Sequence, residues 1–278
     1  MIYDSLDGPE GHKAKRSLGQ NFLVDANIQR KIVKALTPAP DDEVLEIGPG
    51  RGALTRHLAG RVGRLVLVEL DDDLARSLSA EFADDPDVVV VHRDILTVPL
   101  AEILEAPSRS KVIGNIPYNI TTPILFHLLE RRPRPAQILL MVQREVADRI
   151  AAPPGSRTYG ALAVGVQAVA SVRKVMQIPR EAFRPAPDVD STVIRIVPHK
   201  PPQVAQDQEV ALRNLTRIAF GQRRKQFQKI LRDALDISPE RVAEIEKKTG
   251  FDLRGRPEIF SPEDFISLSQ TLLLMQLL

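Results

Sequence analysis

The sequence predicts an α/β protein in which a mostly parallel, helix-flanked sheet is followed by a smaller all-helical domain. Three observations support this. Between Asp42 and Val197 short β-branched runs alternate with longer helical patterns, the order expected of parallel strands joined by crossover helices. The runs are almost continuously apolar, which suits strands buried on both faces. From Val210 onward the pattern is helical only.

The strands read as EVLEI, RLVLVEL, VVVVH, KVIGN, QILLMV and TVIRIV. Helices are expected over residues 28–36, 73–82, 123–130, 144–150 and 159–170. The stretch His199-Lys-Pro-Pro-Gln reads as a linker, because its two prolines remove backbone donors and bias the chain to extended conformations. The chain therefore divides into a domain over 1–198, with 1–16 as a flexible tail, and a second domain over 199–278. In the second, Ser238-Pro239 and Ser261-Pro262 have the form of helix N-caps with proline in the first turn, and Gly250 fits a helix stop.

The balance of 43% hydrophobic and 27% charged residues is that of a globular protein, and its net charge of +2 does not announce a polyanionic partner. No segment approaches the roughly 20 apolar residues of a membrane span, so no membrane partner is expected. Asp4, Asp7 and Glu10 precede the first lysine, with neither a basic leader nor an apolar signal core, which points to the cytoplasm. The absence of cysteine excludes disulfides, cysteine-based zinc sites and a thiolate nucleophile. No metal is invoked.

The strongest local signal is EIGPGRG at 46–52, between a strand and the helical ALTRHLA. Glycines 48, 50 and 52 permit a tight turn that brings backbone close to a ligand. The spacing is G-x-G-x-G and not the dinucleotide fingerprint G-x-G-x-x-G, so a turn with no ligand stays open. Glu69 ends the second strand 17 residues after Gly52, near the roughly 20 expected for a ribose-binding acid. Asp94 follows the third strand, where a carboxylate would face an adenine amino group. Each acid alone also reads as a solvated side chain. A turn and two acids after three successive strands are harder to dismiss.

After the fourth strand stands NIPY at 115–118. Adenine N6 is a poor nucleophile because its lone pair is delocalised into the ring. The Asn115 side-chain carbonyl and the Ile116 backbone carbonyl could accept from its two N–H groups and favour a pyramidal, reactive nitrogen. Tyr118 would stack on the base. Such a site acts mainly by positioning, and no perturbed general base is required because the product amine can lose its proton to water.

These motifs resemble the class I S-adenosylmethionine-dependent methyltransferases, whose fold is Rossmann-like with a seven-stranded sheet. The resemblance implies S-adenosylmethionine as cofactor, with Gly48 and Gly50 under its methionine part, Glu69 at ribose and Asp94 at adenine. NIPY resembles the signature of amino-methylating enzymes, with Asn115, Pro117 and Tyr118 as its catalytic residues. Three further segments are similar to the small-subunit ribosomal-RNA adenine N6-dimethyltransferase family. In SLGQNFLVD, the resemblance implies cofactor contacts from Asn21 and Leu23. In FRPAPDVDSTVIRI, it implies that Phe183 closes a base sandwich with Tyr118; Asp188 departs from the family's usual lysine there and removes a positive charge. In AFGQRRKQFQKIL, Arg223, Arg224 and Lys225 become phosphate contacts.

The resemblance implies dimethylation of two neighbouring adenosines in a hairpin near the 3′ end of small-subunit ribosomal RNA, within a maturing particle. A monomer is expected. Two rivals stay open: a large-subunit enzyme of the macrolide-resistance type, which shares the cofactor and NIPY motifs, and a non-catalytic ribosome-assembly factor on the same fold. The SPE-capped helices favour the small-subunit enzyme over the first. The filled positions Gly48, Glu69, Asp94, Asn115 and Tyr118 argue against the second.

Overall fold

The structure, a computed structural model, describes residues 14–15 and 18–278. The tail expected over 1–16 falls, apart from Ala14 and Lys15, outside the described residues. Contacts divide the chain into two units, one of Met1–Ala147 with Arg173–Pro198, the other of Asp148–Val172 with His199–Leu278.

The elements run β1 (Phe22–Leu23), α1 (Ala26–Leu36), β2 (Glu43–Ile47), α2 (Thr55–Leu58), β3 (Arg64–Glu69), α3 (Asp72–Glu81), β4 (Val88–His92), α4 (Leu100–Ile103), β5 (Lys111–Asn115), α5 (Thr121–Glu130), β6 (Gln137–Gln143), α6 (Arg144–Ile150), α7 (Ala161–Gln167), β7 (Ala170–Ile178), β8 (Phe183–Arg184) and β9 (Ser191–Pro198). Seven strands form one sheet in the order β4-β3-β2-β5-β6-β9-β7. The pairs from β4 to β6 are parallel and β9 runs antiparallel to β6. The six apolar runs read from the sequence are all strands of this sheet.

β7 has no counterpart in the sequence reading. It lies at the sheet edge, where Ser171 and Lys174 are exposed, and its apolar residues are too interrupted to form a strand signal. The chain leaves β2 toward β3 and β4 on one side and returns to β5 on the other, so strand order reverses between β2 and β5. A crevice opens outside the strand carboxyl ends at such a point. The core of this unit is aliphatic, from Leu36, Val44, Leu58, Leu65 and Leu67 to Ile113 and Val193.

The second unit contains α8 (Glu209–Gly221), α9 (Phe227–Leu235), α10 (Pro239–Thr249) and α11 (Pro262–Leu274). Ser238 accepts the Arg241 N–H and Gly250 closes α10 with φ 75°. Ser261 and Asp264 form a reciprocal capping box on α11. Both caps match the sequence reading. Pro198 is the last residue of the first unit, and residues 148–172 group with the second unit. The reason is their packing: Tyr159, Ala163 and Val164 join one core with Phe227, Phe265 and Leu272, and the buried Tyr159 hydroxyl donates to the Phe260 carbonyl at 2.9 Å.

Candidate active site

The first unit holds a cavity of about 580 Å³ at the switch point, within the range of pockets that enclose a small ligand. Its floor is the turn after β2. Gly48 and Gly50 have φ of 63° and 58°, values that side chains with a Cβ rarely adopt. A Cβ on Gly50 would also lie 3.2 Å from the Phe22 ring.

Glu69 ends β3 beside this turn. One of its oxygens accepts the Gly50 N–H at 3.0 Å and the other accepts those of Leu70 and Asp71, each at 2.9 Å. Burial pushes its carboxyl above the usual range, against these three amides. The carboxylate is thus oriented entirely by backbone, with acceptor capacity left for a ligand hydroxyl. Asp94 caps the short turn after β4 with one oxygen on the Leu96 N–H at 2.9 Å. Its other oxygen accepts no hydrogen bond among the described residues.

At the end of β5, the Asn115 side chain donates to the Asn21 carbonyl at 2.8 Å. With its NH₂ so engaged, the amide presents Oδ1 as an acceptor. The Ile116 carbonyl likewise accepts no hydrogen bond among the described residues. Pro117 holds φ −57° and opens the short turn that carries Tyr118. The half-buried Tyr118 hydroxyl lies 2.6 Å from the Ser191 hydroxyl. Burial raises the pKa of its phenol, and the bond to Ser191 offsets only part of this.

A strap over residues 18–24 lines the same cavity. Gln20 donates to Asp71 at 2.9 Å, and the Lys15 ammonium reaches the same carboxylate at 2.9 Å. β1 pairs with β8, Leu23 opposite Phe183. The Gln29 amide donates to the Leu23 carbonyl at 2.9 Å. Burial raises the Asp71 carboxyl, but the bonds from Lys15 and Gln20 outweigh it and leave the group below its ordinary pKa.

The cavity therefore brings together Asn21, Leu23, Gly48, Gly50, Glu69, Asp94, Asn115, Pro117 and Tyr118. It does not include Phe183. That ring is fully buried in the aliphatic core, on β8 where it pairs with β1, and presents no exposed face to the cavity. Arg223, Arg224 and Lys225 lie in the second unit, exposed in the turn between α8 and α9 and not on a helix face.

Sequence reading gave no role to Glu46, Gln20, Asp71 or Ser191. Glu46 lines the cavity with Thr55 donating to it at 2.8 Å, and burial lifts its carboxyl from 4.5 to about 8. An acid inside the apolar run EVLEI was the available signal. Asp71 looked like part of a solvated acidic run, yet it is buried. Gln20 and Ser191 lie in the SLGQNFLVD and FRPAPDVDSTVIRI segments, but nothing in those segments names their partners.

A sheet in this strand order, with β9 inserted antiparallel between β6 and β7 and a ligand cavity at the β2/β5 switch point, is the class I methyltransferase fold. The cavity fits S-adenosylmethionine, the cofactor of this class: the Glu69 carboxylate, an Asp94 oxygen that accepts no hydrogen bond among the described residues and an open glycine turn line one apolar-walled space. The chain belongs to the ribosomal RNA adenine dimethylase family, whose sequence profile matches residues 11–272.

It is 42% identical over 267 residues to a protein of Geobacter metallireducens named ribosomal RNA small subunit methyltransferase A, covering 95% of this chain and 97% of that one. A Xylella fastidiosa protein of the same name is 43% identical over 258 residues, with 92% and 95% covered. Among solved structures, a dimethyladenosine transferase from Plasmodium falciparum superposes with TM-score 0.80 at 23% identity, covering 92% of this chain and 98% of that one. The 23S rRNA methyltransferase ErmE superposes with TM-score 0.69 at 27% identity, covering 91% and 99%.

Proposed function

We propose that this protein transfers methyl groups from S-adenosylmethionine to N6 of two adjacent adenosines in a hairpin near the 3′ end of small-subunit ribosomal RNA. It does so on a maturing particle, as a monomer in the cytoplasm. The observation that carries the reading is the Asn115 amide, whose NH₂ is tied to the Asn21 carbonyl so that Oδ1 is left as an acceptor beside the Ile116 carbonyl. Two acceptors on adjacent residues match the two N–H groups of an exocyclic amine.

In this reading Asn21, Leu23, Gly48, Gly50, Glu69, Asp94 and Asn115 hold the cofactor. Glu69 takes the ribose hydroxyls and Asp94 the adenine amine. When bound, the cofactor supplies an electrophilic methyl group on sulfur. Asn115 and Ile116 hold the target amine with its lone pair out of conjugation, Pro117 sets the turn, and the Tyr118 ring supports the base. The proton released on N-methylation passes to water. Arg223, Arg224 and Lys225 bind RNA phosphates, giving affinity without base choice. No helix among the described residues is long and apolar enough to cross a membrane.

The small-subunit target is favoured over the large-subunit one by the named relatives, which share about 40% identity over nearly all of both chains. The test is incubation of the purified protein and S-adenosylmethionine with small-subunit and large-subunit particles that lack the modification. Mass spectrometry of the digested RNA should find N6,N6-dimethyladenosine in the small-subunit sample only. Product in the large-subunit sample alone would support the resistance-type reading, and product in neither, with cofactor bound, the assembly-factor reading.

A further inference from the structure

Tyr118 is fixed at both ends. Its backbone sits in the tight turn closed by the Ile120 N–H on the Pro117 carbonyl at 3.2 Å. Its hydroxyl meets that of Ser191, 73 residues away, at 2.6 Å. Ser191 is fully buried as the first residue of β9, opposite Gln143 at the end of β6.

The residue before it is pinned in turn. The Asp190 carbonyl accepts the Arg144 N–H at 3.0 Å, its carboxylate accepts the Arg180 N–H at 3.2 Å, and that carboxylate lies 3.8 Å from the Arg144 guanidinium. Two segments, at Arg144 and at Arg180, thus fix the residue next to Ser191. β9 pairing does not call for a serine here, since a serine has no advantage in a strand over the valine and isoleucine that follow it.

We propose that Ser191 is a positioning residue for methyl transfer: it anchors the Tyr118 hydroxyl in the wall, so that the ring face and not the hydroxyl is what Tyr118 offers to the target base. The inference rests on the reading that an adenine enters beside Asn115. A stacking platform works by holding a plane, and a ring tethered at both Cβ and Oη has lost the χ freedom that would otherwise be lost on binding. The tether also removes the hydroxyl from competition for the amine. With Phe183 buried away from the cavity, Tyr118 is the one aromatic side chain of the NIPY end that lines it, so the precision of its plane bears directly on the reaction.

The test is a double-mutant cycle with Tyr118→Phe and Ser191→Ala, each of which removes one end of the same bond. Each should lower kcat roughly five- to tenfold, the scale of one hydrogen bond with one partner left unsatisfied. The affinity for the cofactor product, measured by calorimetry, should not move. The double variant should be no slower than either single one, and Ser191→Thr should recover most of the rate. RNA carrying 2-aminopurine at the target position should show weaker stacking quenching in both single variants. Additive effects, or wild-type kcat and quenching in both single variants while Tyr118→Ala is inactive, would overturn the anchor. An active Tyr118→Ala would instead overturn the reading that Tyr118 supports the base, and should Ser191→Ala fold poorly, Tyr118→Phe probes the same bond from its half-buried end.

Discussion

The two units place their functional groups in opposite ways. At the cavity of the first, remote parts of the chain help orient polar side chains: Asn21 holds Asn115 across 94 residues and the glycine turn meets Glu69 across 19, while beside the cavity Gln20 holds Asp71 across 51. In the second unit the basic turn at 223–225 is exposed. Arg223 donates to the Arg157 carbonyl, Lys225 pairs with Asp233, and Arg224 has no partner among the described residues. The first arrangement is built for one geometry. The second leaves its cations exposed, which suits the phosphate contacts proposed for it, where position matters less than sign.

That contrast can be broken by experiment, beginning with the largest effect. Glu69→Ala removes the acceptor proposed for the ribose and strips three backbone N–H groups of their partner. Cofactor affinity should fall on the order of a hundredfold, the scale of two hydrogen bonds to a charged group, with RNA binding by filter assay unchanged. A loss below threefold would contradict preorganisation by this acid. Gln20→Leu cuts one bond between strap and Asp71 and should weaken the cofactor roughly tenfold by calorimetry. If affinity stays at the wild-type value, the Gln20–Asp71 bond is not what holds the strap.

Glu46 sharpens the comparison through pH. Its carboxyl is raised to about 8 by burial, so without cofactor the native state holds a proton that the unfolded chain releases near 4.5. Stability linked to this group is full below about 4.5 and is lost as pH rises to about 8. Glu46→Gln cannot ionise and escapes the loss. Melting curves should show the variant gaining on the wild type across that window, by roughly 2–4 °C for each kcal/mol; parallel curves would mean that Glu46 is already ionised. The smallest effects belong to the basic turn. Arg223→Ala, Arg224→Ala and Lys225→Ala should each weaken RNA binding a few-fold and lower the salt slope by about 1, measured between about 50 and 200 mM salt. A salt-independent loss would mark the residue as a structural contact.

Much of this molecule is decided by residues within a turn or a strand of one another. The apolar runs of β2 to β6 and β9, the serine-proline caps of α10 and α11, and the glycine turn with Glu69 and Asp94 after it are local patterns, and burial, capping and backbone freedom act over that same short range. NIPY after β5 belongs with them. Each could be read from the chain alone, and each lies where it was read.

What only the tertiary structure decided involves partners distant in sequence. Residues 148–172 pack with the second unit because Tyr159 fits among phenylalanines of α8, α9 and α11, with its ring edge-on to Phe220. Phe183 lies in the core because β8 pairs with β1, a two-residue pairing that leaves no periodic trace. Asp71 looks solvated in ELDDD, but the strap folds back to bury it. Ser191 meets Tyr118 only because β9 is inserted antiparallel beside β6. Spacing along a chain cannot encode such contacts, because they depend on which face of one element reaches which face of another once the whole sheet has formed.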